Sequence, residues 1–408
     1  MSRRYFVPGR IELLGKHVDY AGGTSLTCAT HRGLALTAEP ISDPIVRLRS
    51  ATRPHCIDIP LRSQSPPVPG HGSIYAHAVI KRLVRDFPTI TRGIDIDLHS
   101  DLPESAGLSS SSALTIAIAT ALVDENKLAL RDEWKSQIPD LVAKAEYFAA
   151  LETGAPYRVF QGDDGVGVAG GAQDHVAICC AKAGHVGLYS YLPARVRDYI
   201  PWPDSHVLVV ANSGVVATKT GNAREVYNRT TGAIRALLAR WNAVYRHAHT
   251  SLQEALTSCT TASEWFHAQA KAGLPGYPGA YLQGRFEQFL DETRWVVPQA
   301  VDALRRQDWD GFGRWVARSH ALAEIGLCNQ VTETNSLVKM AIDHGAVAAS
   351  AFGAGFGGAV WSAVTAPAAP AFVERWRTTY LASFPQHQRQ AEFFITRPAA
   401  GAHAVLTE

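Results

Sequence analysis

The sequence predicts an α+β protein of two domains, and three observations predict it. The chain has 408 residues, more than one hydrophobic core ordinarily serves. Both halves mix strand-like and helix-like segments without a regular βαβ rhythm, which favours α+β over a doubly wound sheet. Between Ser190 and Pro203 the composition shifts and Pro193, Pro201 and Pro203 cluster. The boundary is placed there, giving domains of residues 1–198 and 199–408.

The elements follow from periodicity and turn chemistry. Short apolar runs near 4–8 and 33–38 read as strands flanking a loop of polar groups. Ser63 to Gly70 is a proline-rich surface loop. Tyr75 to Phe87 has helical apolar spacing, and Ile94 to Leu98 alternates as a half-exposed strand. Ala113 to Leu122 is almost wholly apolar and reads as a buried core helix, too short to span a bilayer. Leu141 to Glu152 is a second helix, Gly162 to Gly171 a loop and Val207 to Ala211 a buried strand. Ala223–Trp241 and Phe286–Arg306 are long amphipathic helices. The last unit reads helix (Thr334–His344), glycine turn (Gly353–Gly358), strand (Ala359–Val364) and helix (Ala371–Leu381).

Composition narrows the function. Apolar residues make up 46% and charged residues 19%, the profile of a soluble globular protein. A net charge of +2, with no block of like charge, argues against nucleic acid or a membrane surface as partner. The basic start Ser2-Arg3-Arg4 leads into no apolar leader, and no run is long enough to cross a bilayer. The six cysteines are scattered without ligand spacing, so neither zinc nor a disulfide framework is expected. The expectation is a cytoplasmic enzyme, monomer or homodimer.

The segment Leu102 to Ala113 joins a predicted strand to the apolar helix. Its core is Gly107-Leu108-Ser109-Ser110-Ser111-Ser112-Ala113. Glycine admits close backbone approach to an anion, the serines supply hydroxyls, and the helix start adds free N–H groups and the positive dipole end. Together these form a phosphate cradle, and a serine hydroxyl is also a ligand for Mg²⁺. The plain alternative is a helix cap in a serine-rich linker. No Gly-Lys-Ser/Thr follows, so it is not a Walker A loop.

Gly107-Leu108-Ser109-Ser110-Ser111 resembles the second motif of the GHMP kinases. Two further segments match in order. Pro8-Gly9-Arg10-Ile11-Glu12-Leu13-Leu14-Gly15-Lys16-His17-Val18-Asp19-Tyr20-Ala21-Gly22-Gly23 is similar to the galactokinase signature P-G-R-x-x-x-x-G-E-H-x-D-Y-x-G-G. Phe352-Gly353-Ala354-Gly355-Phe356-Gly357-Gly358 is similar to the third motif, T-G-x-G-F-G-G. The resemblance spans almost the whole chain and implies a ribosomal-S5-like N-terminal domain, a ferredoxin-like C-terminal domain and an active site between them. It also implies ATP and Mg²⁺.

Phosphoryl transfer requires a metal ligand, cations near the transferred group, and a residue that orients or deprotonates the acceptor. The resemblance of Gly170-Gly171-Ala172-Gln173-Asp174-His175 to the G-I-M-D-Q block assigns Asp174 as general base or as orienter of the anomeric hydroxyl. Ala172, Gln173 and His175 depart from that block. Arg10 is implied beside Asp174 and the phosphoryl group, its alternative being a structural ion pair. Glu146 falls where the family keeps its metal carboxylate, with Ser111 as its partner. His17, Asp19, Gly171, Tyr227 and Gly355 are implied on the sugar side. Tyr227 serves equally well as a core residue. Asn212-Ser213, Ser319-His320 and Glu324 match further family stretches, with His320 read as structural. The glycines of the third motif are expected to bring backbone N–H groups to the substrates, and an ordinary tight turn explains some of them.

Lys16 stands where galactokinases keep a sugar-binding glutamate. An ammonium donates and cannot accept, so it favours a carboxylate or phosphate on the far end of the sugar. The expectation is a 1-kinase of an acidic galactose-like sugar, such as a heptose or octose phosphate or a uronic acid. The alternative is a neutral galactose, with Lys16 paired to Asp174 or Glu12. A catalytically silent sugar- and ATP-binding regulator is the competing class, against which stand Asp174, Glu146, Ser111 and Arg10. A decarboxylase on the same scaffold is disfavoured by His17-x-Asp19-Tyr20.

Overall fold

A computed structural model of the chain describes residues 2–50, 53–62, 73–103, 106–215 and 222–405, with the side chains of 53–55 and 222–224 left aside. The expected loop Ser63–Gly70 lies outside the described residues, as do Glu104 and Ser105. Two sheets organise what is described. The first runs β12-β1-β2-β5-β3-β4, with β6 on β2 and β7 on β6. Its strands are β1 (Arg3–Leu14), β2 (Thr24–Ile41), β3 (Ile45–Ser50), β4 (Arg53–Pro60), β5 (Gly93–Ser100), β6 (His185–Ser190), β7 (Arg195–Pro201) and β12 (His403–Val405). All pairings are antiparallel except β3 with β5. The second is an antiparallel sheet of order β11-β8-β10-β9: β8 (His206–Asn212), β9 (Ala348–Phe352), β10 (Ala359–Thr365) and β11 (Glu392–Thr396). The expected boundary between residues 198 and 199 falls inside β7, which is bonded into the first sheet, and β12 returns the end of the chain to that sheet.

Helices fill the remaining faces: α1 (Ser73–Asp86), α2 (Ser110–Glu125), α3 (Asp132–Gln137), α4 (Leu141–Thr153), α5 (Gln173–Cys180), α6 (Asn222–Tyr245), α7 (Leu252–Ser258), α8 (Ala262–Ala272), α9 (Gly279–Asp291), α10 (Val297–Arg305), α11 (Trp309–Leu322), α12 (Thr332–Asp343) and α13 (Ala369–Ser383). Helix α2 is buried on nearly every side, as its apolar run requires, and packs with α1, α4 and α5 against the first sheet. A second cluster joins Val18 and Tyr20 to α6–α9; a third lies between the second sheet and α12 and α13. No helix of the described residues is long and apolar enough to cross a membrane.

Two expectations shift in detail. The strand expected near 4–8 runs on to Leu14, because Arg10 and Glu12 alternate with Ile11 and Leu13 in the strand period. The polar pair therefore occupies one face of a strand rather than a loop. The expected helix Phe286–Arg306 is α9 and α10 joined by a π-helical turn, Glu292–Val296, which aims Glu292 into the interior. A second π turn, Ala323–Leu327, follows α11.

The turn Gly353–Gly358 joins β9 to β10, and Gly353, Gly355, Gly357 and Gly358 all have φ between 80 and 124°. Backbone conformation alone thus accounts for all four glycines. A Cβ on Gly353 would sit 3.0 Å from the Gly107 carbonyl oxygen and 3.2 Å from its Cα, so the serine loop and the glycine turn touch backbone to backbone. Gly353→Ala is expected to cost ~1–3 kcal/mol, from the left-handed φ and this contact, read as a lowered urea midpoint with unchanged slope.

Candidate active site

The motifs converge on a cleft lined by Arg10, Glu12, His17, Asp19, Ser112, Glu152, Thr153, Val168, Gly170, Gly171, Gln173, Asp174, His175, Tyr227, Gly353 and Ala354. Asp174 lies in the first turn of α5, at the positive end of the helix dipole. Its Oδ1 accepts from both Nε and Nη2 of Arg10 at 2.8 Å, and its Oδ2 accepts from Ser109 Oγ at 2.6 Å. Arg10 also donates from Nη1 to the Gly107 carbonyl, and its backbone N–H donates to Leu108 O at 3.1 Å. Burial works against the Arg10 cation, but Asp174 and Glu12 outweigh it and hold its pKa above the ordinary value.

The serine loop is built as expected at its turn. Gly107 has φ 75° and Ser109 φ 61°, and the Ser109 carbonyl accepts from Ala113 N to begin α2. A serine held left-handed at a cleft carries strain, and Ser109 shares the trait with His17 (φ 55°) and Phe356 (φ 60°). Ser110 is exposed on the first turn of α2, Ser112 lines the cleft, and Leu108 and Ala113 are core. The Ser111 hydroxyl bonds instead to Tyr75, whose pKa burial pushes up to about 12.

Glu146 corrects the expected metal set. Its Oε1 accepts from the Ala194 backbone N–H at 2.6 Å, and it does not line the cleft. The carboxylate that does is Glu152, in the last turn of the same helix. Its Oε2 accepts from Thr115 Oγ1 at 3.3 Å and lies 3.2 Å from His175 Nε2. Ser112 and Glu152 are hard oxygen donors of the kind Mg²⁺ takes. Among the described residues no group of three or more His, Cys, Asp or Glu is placed to hold an ion.

On the sugar side, the loop after β1 carries His17 and Asp19. The His17 ring lies 5.3 Å from that of Tyr227, and His17 Nδ1 is 3.1 Å from Tyr20 OH. Asp19 Oδ2 accepts from Gln173 N at 3.2 Å and abuts Gly171, where any Cβ would lie 2.3 Å away. Burial raises the Asp19 pKa and hydrogen bonds from the Gln173 and Tyr20 backbones oppose it. Tyr227, half-buried at the head of α6, faces the cleft. Gly355 does not: it packs on Asn329, whose carbonyl takes the Phe356 N–H. The Gly358 N–H goes to Val215 O, so of the glycine turn only Gly353 and Ala354 reach the cleft. Asn212 and Ser213 brace that turn, Ser213 N donating to Gly358 O at 2.9 Å. His320 is buried beside Asn335, its pKa pushed down to about 4 by burial, consistent with a packing histidine.

Lys16 is the second correction. It is 1% exposed and absent from the cleft wall. Its Nζ donates to Ser319 Oγ at 2.7 Å, the Ser319 hydroxyl donates to Glu292 Oε1, and Gly15 N donates to Glu292 Oε2 at 3.1 Å. The ammonium thus meets a carboxylate 276 residues away through one hydroxyl, rather than Asp174 or a ligand. Gln288 and Arg285 of α9 hold the neighbouring carbonyls, Gln288 Nε2 on Lys16 O at 2.8 Å and Arg285 Nη2 on His17 O. In the cleft the carboxylate near this end is Glu12. Gln173 Nε2 donates to its Oε2 at 2.6 Å, and burial pushes its pKa up to about 8 against the pull of Arg10 and Lys16. From the sequence, Glu12 was weighed only as an ion-pair partner of Lys16, and Glu152 and Gln173 were given no place in the site. The signal for Glu12 was present, since it shares a strand face with Arg10.

The comparisons agree with this geometry. Residues 3–40 match the galactokinase galactose-binding signature, residues 74–160 the GHMP kinases N terminal domain and residues 300–382 the GHMP kinases C terminal. A galactokinase of Exiguobacterium sibiricum is 28% identical over 364 residues, 88% of this chain and 83% of that one. One from a Roseiflexus species is 26% identical over 400 residues, 98% and 92% of the two chains. The crystal structure of Lactococcus lactis galactokinase complexed with galactose superposes with a TM-score of 0.79 at 21% identity, covering 99% of this chain and 95% of that one.

Lys16→Met or Glu292→Gln alone is expected to destabilise the protein by roughly 3 kcal/mol, since each strands a buried charge. The double variant Lys16→Met/Glu292→Met should recover most of that loss in a double-mutant cycle of denaturant melts. Additive losses would mean the two groups do not interact. With two sheets, a serine loop and a glycine turn meeting at an Arg10–Asp174 pair, the chain belongs to the GHMP kinases and is an ATP-dependent sugar kinase.

Proposed function

We propose that this kinase phosphorylates the anomeric hydroxyl of a galactose-like hexose that carries no anionic group. The observation that carries this is the Asp174 carboxylate, clamped by Arg10 and Ser109 on the floor of a cleft whose other wall presents His17, Asp19 and Tyr227. The expectation of an acidic substrate rested on Lys16, and Lys16 is turned into the interior on Ser319. Four carboxyl groups line the cleft (Glu12, Asp19, Glu152 and Asp174), and the lining arginine, Arg10, is already bound to Asp174, so the described wall offers an anionic sugar no free lysine or arginine. The comparisons with galactokinases support the same choice.

In this scheme Asp174 takes the proton of the anomeric hydroxyl as that oxygen forms a bond to the γ-phosphorus of ATP. The bond from that phosphorus to the β–γ bridging oxygen breaks and ADP leaves. Arg10, beside both the base and the serine loop, balances charge on Asp174 and on the phosphoryl oxygens. The N–H groups at the start of α2 receive the phosphates. Ser112 and Glu152 would hold Mg²⁺, which supplies charge neutralisation at the phosphates when bound. Gly171 and Gly170 keep the wall beside Asp19 thin enough for a sugar ring to approach.

The test is ADP release with ATP and a panel of galactose, galactose 6-phosphate, galacturonate and glucose, with the product's phosphate located by NMR. Galactose should be turned over at C1 and the two anionic sugars poorly; a clear preference for either anion would reject the proposal. Asp174→Asn should lower kcat ~10²–10⁴-fold if Asp174 is the base. Glu152→Gln should raise the Mg²⁺ concentration needed for half-maximal rate ~10- to 100-fold, whereas Glu146→Gln should leave it within about twofold. The reverse pattern would return the metal to Glu146.

A further inference from the structure

Two buried acceptors in the cleft have no donor. Glu12 is 4% exposed; Gln173 Nε2 occupies its Oε2, and its Oε1 has no partner. Gln173 is also 4% exposed, and its own carbonyl Oε1 has no partner. Both side chains line the cleft. Neither residue belongs to the motifs that define the site: Glu12 falls on an open position of the first motif, and Gln173 departs from the usual block.

Their place in the cleft says which part of a substrate they meet. Glu12 follows Arg10 by two residues on the same face of β1, and Gln173 adjoins Asp174 in the first turn of α5. Both acceptors therefore lie on the Asp174 side of the cleft. In the scheme proposed above that side receives the reacting hydroxyl, and the group next to it on the ring is the substituent on the neighbouring carbon.

The chemistry of that substituent follows from the count of donors. A hydroxyl carries one hydrogen and satisfies one of the two oxygens, leaving the other buried and unpaired. An ammonium carries three and satisfies both, with charge assistance at Glu12. The charges agree. Among the described residues, the one arginine or lysine that lines the cleft is Arg10, and it is bound to Asp174, while Lys16 is turned away on Ser319. Burial raises the Glu12 pKa to about 8 against the pull of Arg10 and Lys16, so the donor count above holds for the ionised carboxylate, the form that a bound ammonium favours.

We propose that the preferred substrate is a 2-amino-2-deoxy hexose, whose ammonium is bound by Glu12 and the Gln173 side-chain carbonyl. The proposal rests on the sugar 1-kinase assignment above and adds the group at C2.

The test uses the full-length wild type near pH 7, with 2-amino-2-deoxygalactose, galactose and 2-deoxygalactose compared both by calorimetric binding and by kcat/KM. The amino sugar is expected to bind ~10-fold or more tightly than galactose, and galactose more tightly than the deoxy sugar. Glu12→Gln should bring the amino-to-hydroxyl ratio down ~10-fold, towards one. That ratio is insensitive to a partial loss of active protein, and if the variant does not fold, the wild-type ranking decides. Galactose bound as tightly as the amino sugar, or more so, overturns the proposal. Phosphorylation of galactose with no amine preference defeats this inference and leaves the kinase assignment standing. Tighter binding of the amino sugar with no turnover of any sugar does the opposite.

Discussion

The Arg10 guanidinium is the point on which the rest of the site depends. It is 3% exposed, and a buried cation of that size is tolerated only where its donors are fully used. Its planar fork grips Asp174 Oδ1 with two nitrogens while the third reaches the Gly107 carbonyl, and its backbone N–H takes the next carbonyl, Leu108 O. The Phe352 ring lies 6.0 Å from the same group. Strand β1, the serine loop, α5 and the end of β9 thus meet on one side chain. A lysine offers three donors on a flexible stem and no fork, so it cannot hold both partners in register. The serine loop and Asp174 are set in place by one residue, which is why neither can shift without the other.

The loop after β1 shows why a lysine in the sugar-binding motif does not reach the cleft. Between Arg10 and Glu12 the register of β1 on β2 is unbroken, so the two face the cleft together, while the register shifts on either side of them. The strand ends before Gly15 (φ 87°), and His17 (φ 55°) is again left-handed. Two left-handed residues flanking Lys16 redirect it, and its side chain leaves the cleft for the interior. There Ser319 and Glu292 receive it, from elements brought up by α11 and the π turn after α9. The charge expected at the sugar has moved into the scaffold, and a carboxylate four residues earlier occupies the cleft.

How much of this was legible follows from range. The apolar run of α2, the alternation of β5 and β8 and the glycine turn are local patterns, and all appear in the structure close to where periodicity places them. The Arg10–Asp174 pair was legible from the motifs. Glu146 against Glu152 was not, because six residues on a helix are about 240° apart and motif spacing does not say which face meets the cleft. A physical clue did exist. Glu152 sits in the last turn of α4, where the dipole disfavours an anion, and a carboxylate kept there needs a cation or a ligand. The Lys16–Ser319–Glu292 relay was not legible, since Lys16 lies 303 residues from Ser319 and neither Ser319 nor Glu292 carries a local sign that a buried ammonium will reach it.

One segment ties the proposed metal carboxylate to the base. Residues 154–172 leave α4 just after Glu152 and Thr153 and re-enter helix at Gln173 and Asp174, so the two chemical groups are the ends of a single strap. The strap is fixed along its length. Asp163 N donates to Gly154 O and Val166 N to Glu152 O, both at 2.8 Å, and Arg82, fully buried and paired with Asp86, donates to Ala155 O. From the other side, Asn228 of α6 accepts from Ala169 N and donates to Gly167 O, and Thr231 donates to Ala169 O. Tyr227 stands on the same turn as Asn228. The element that presents Tyr227 to the cleft is therefore the one that pins the strap, so the placement of Tyr227, Glu152 and Asp174 rests on the same contact of α6 with one loop.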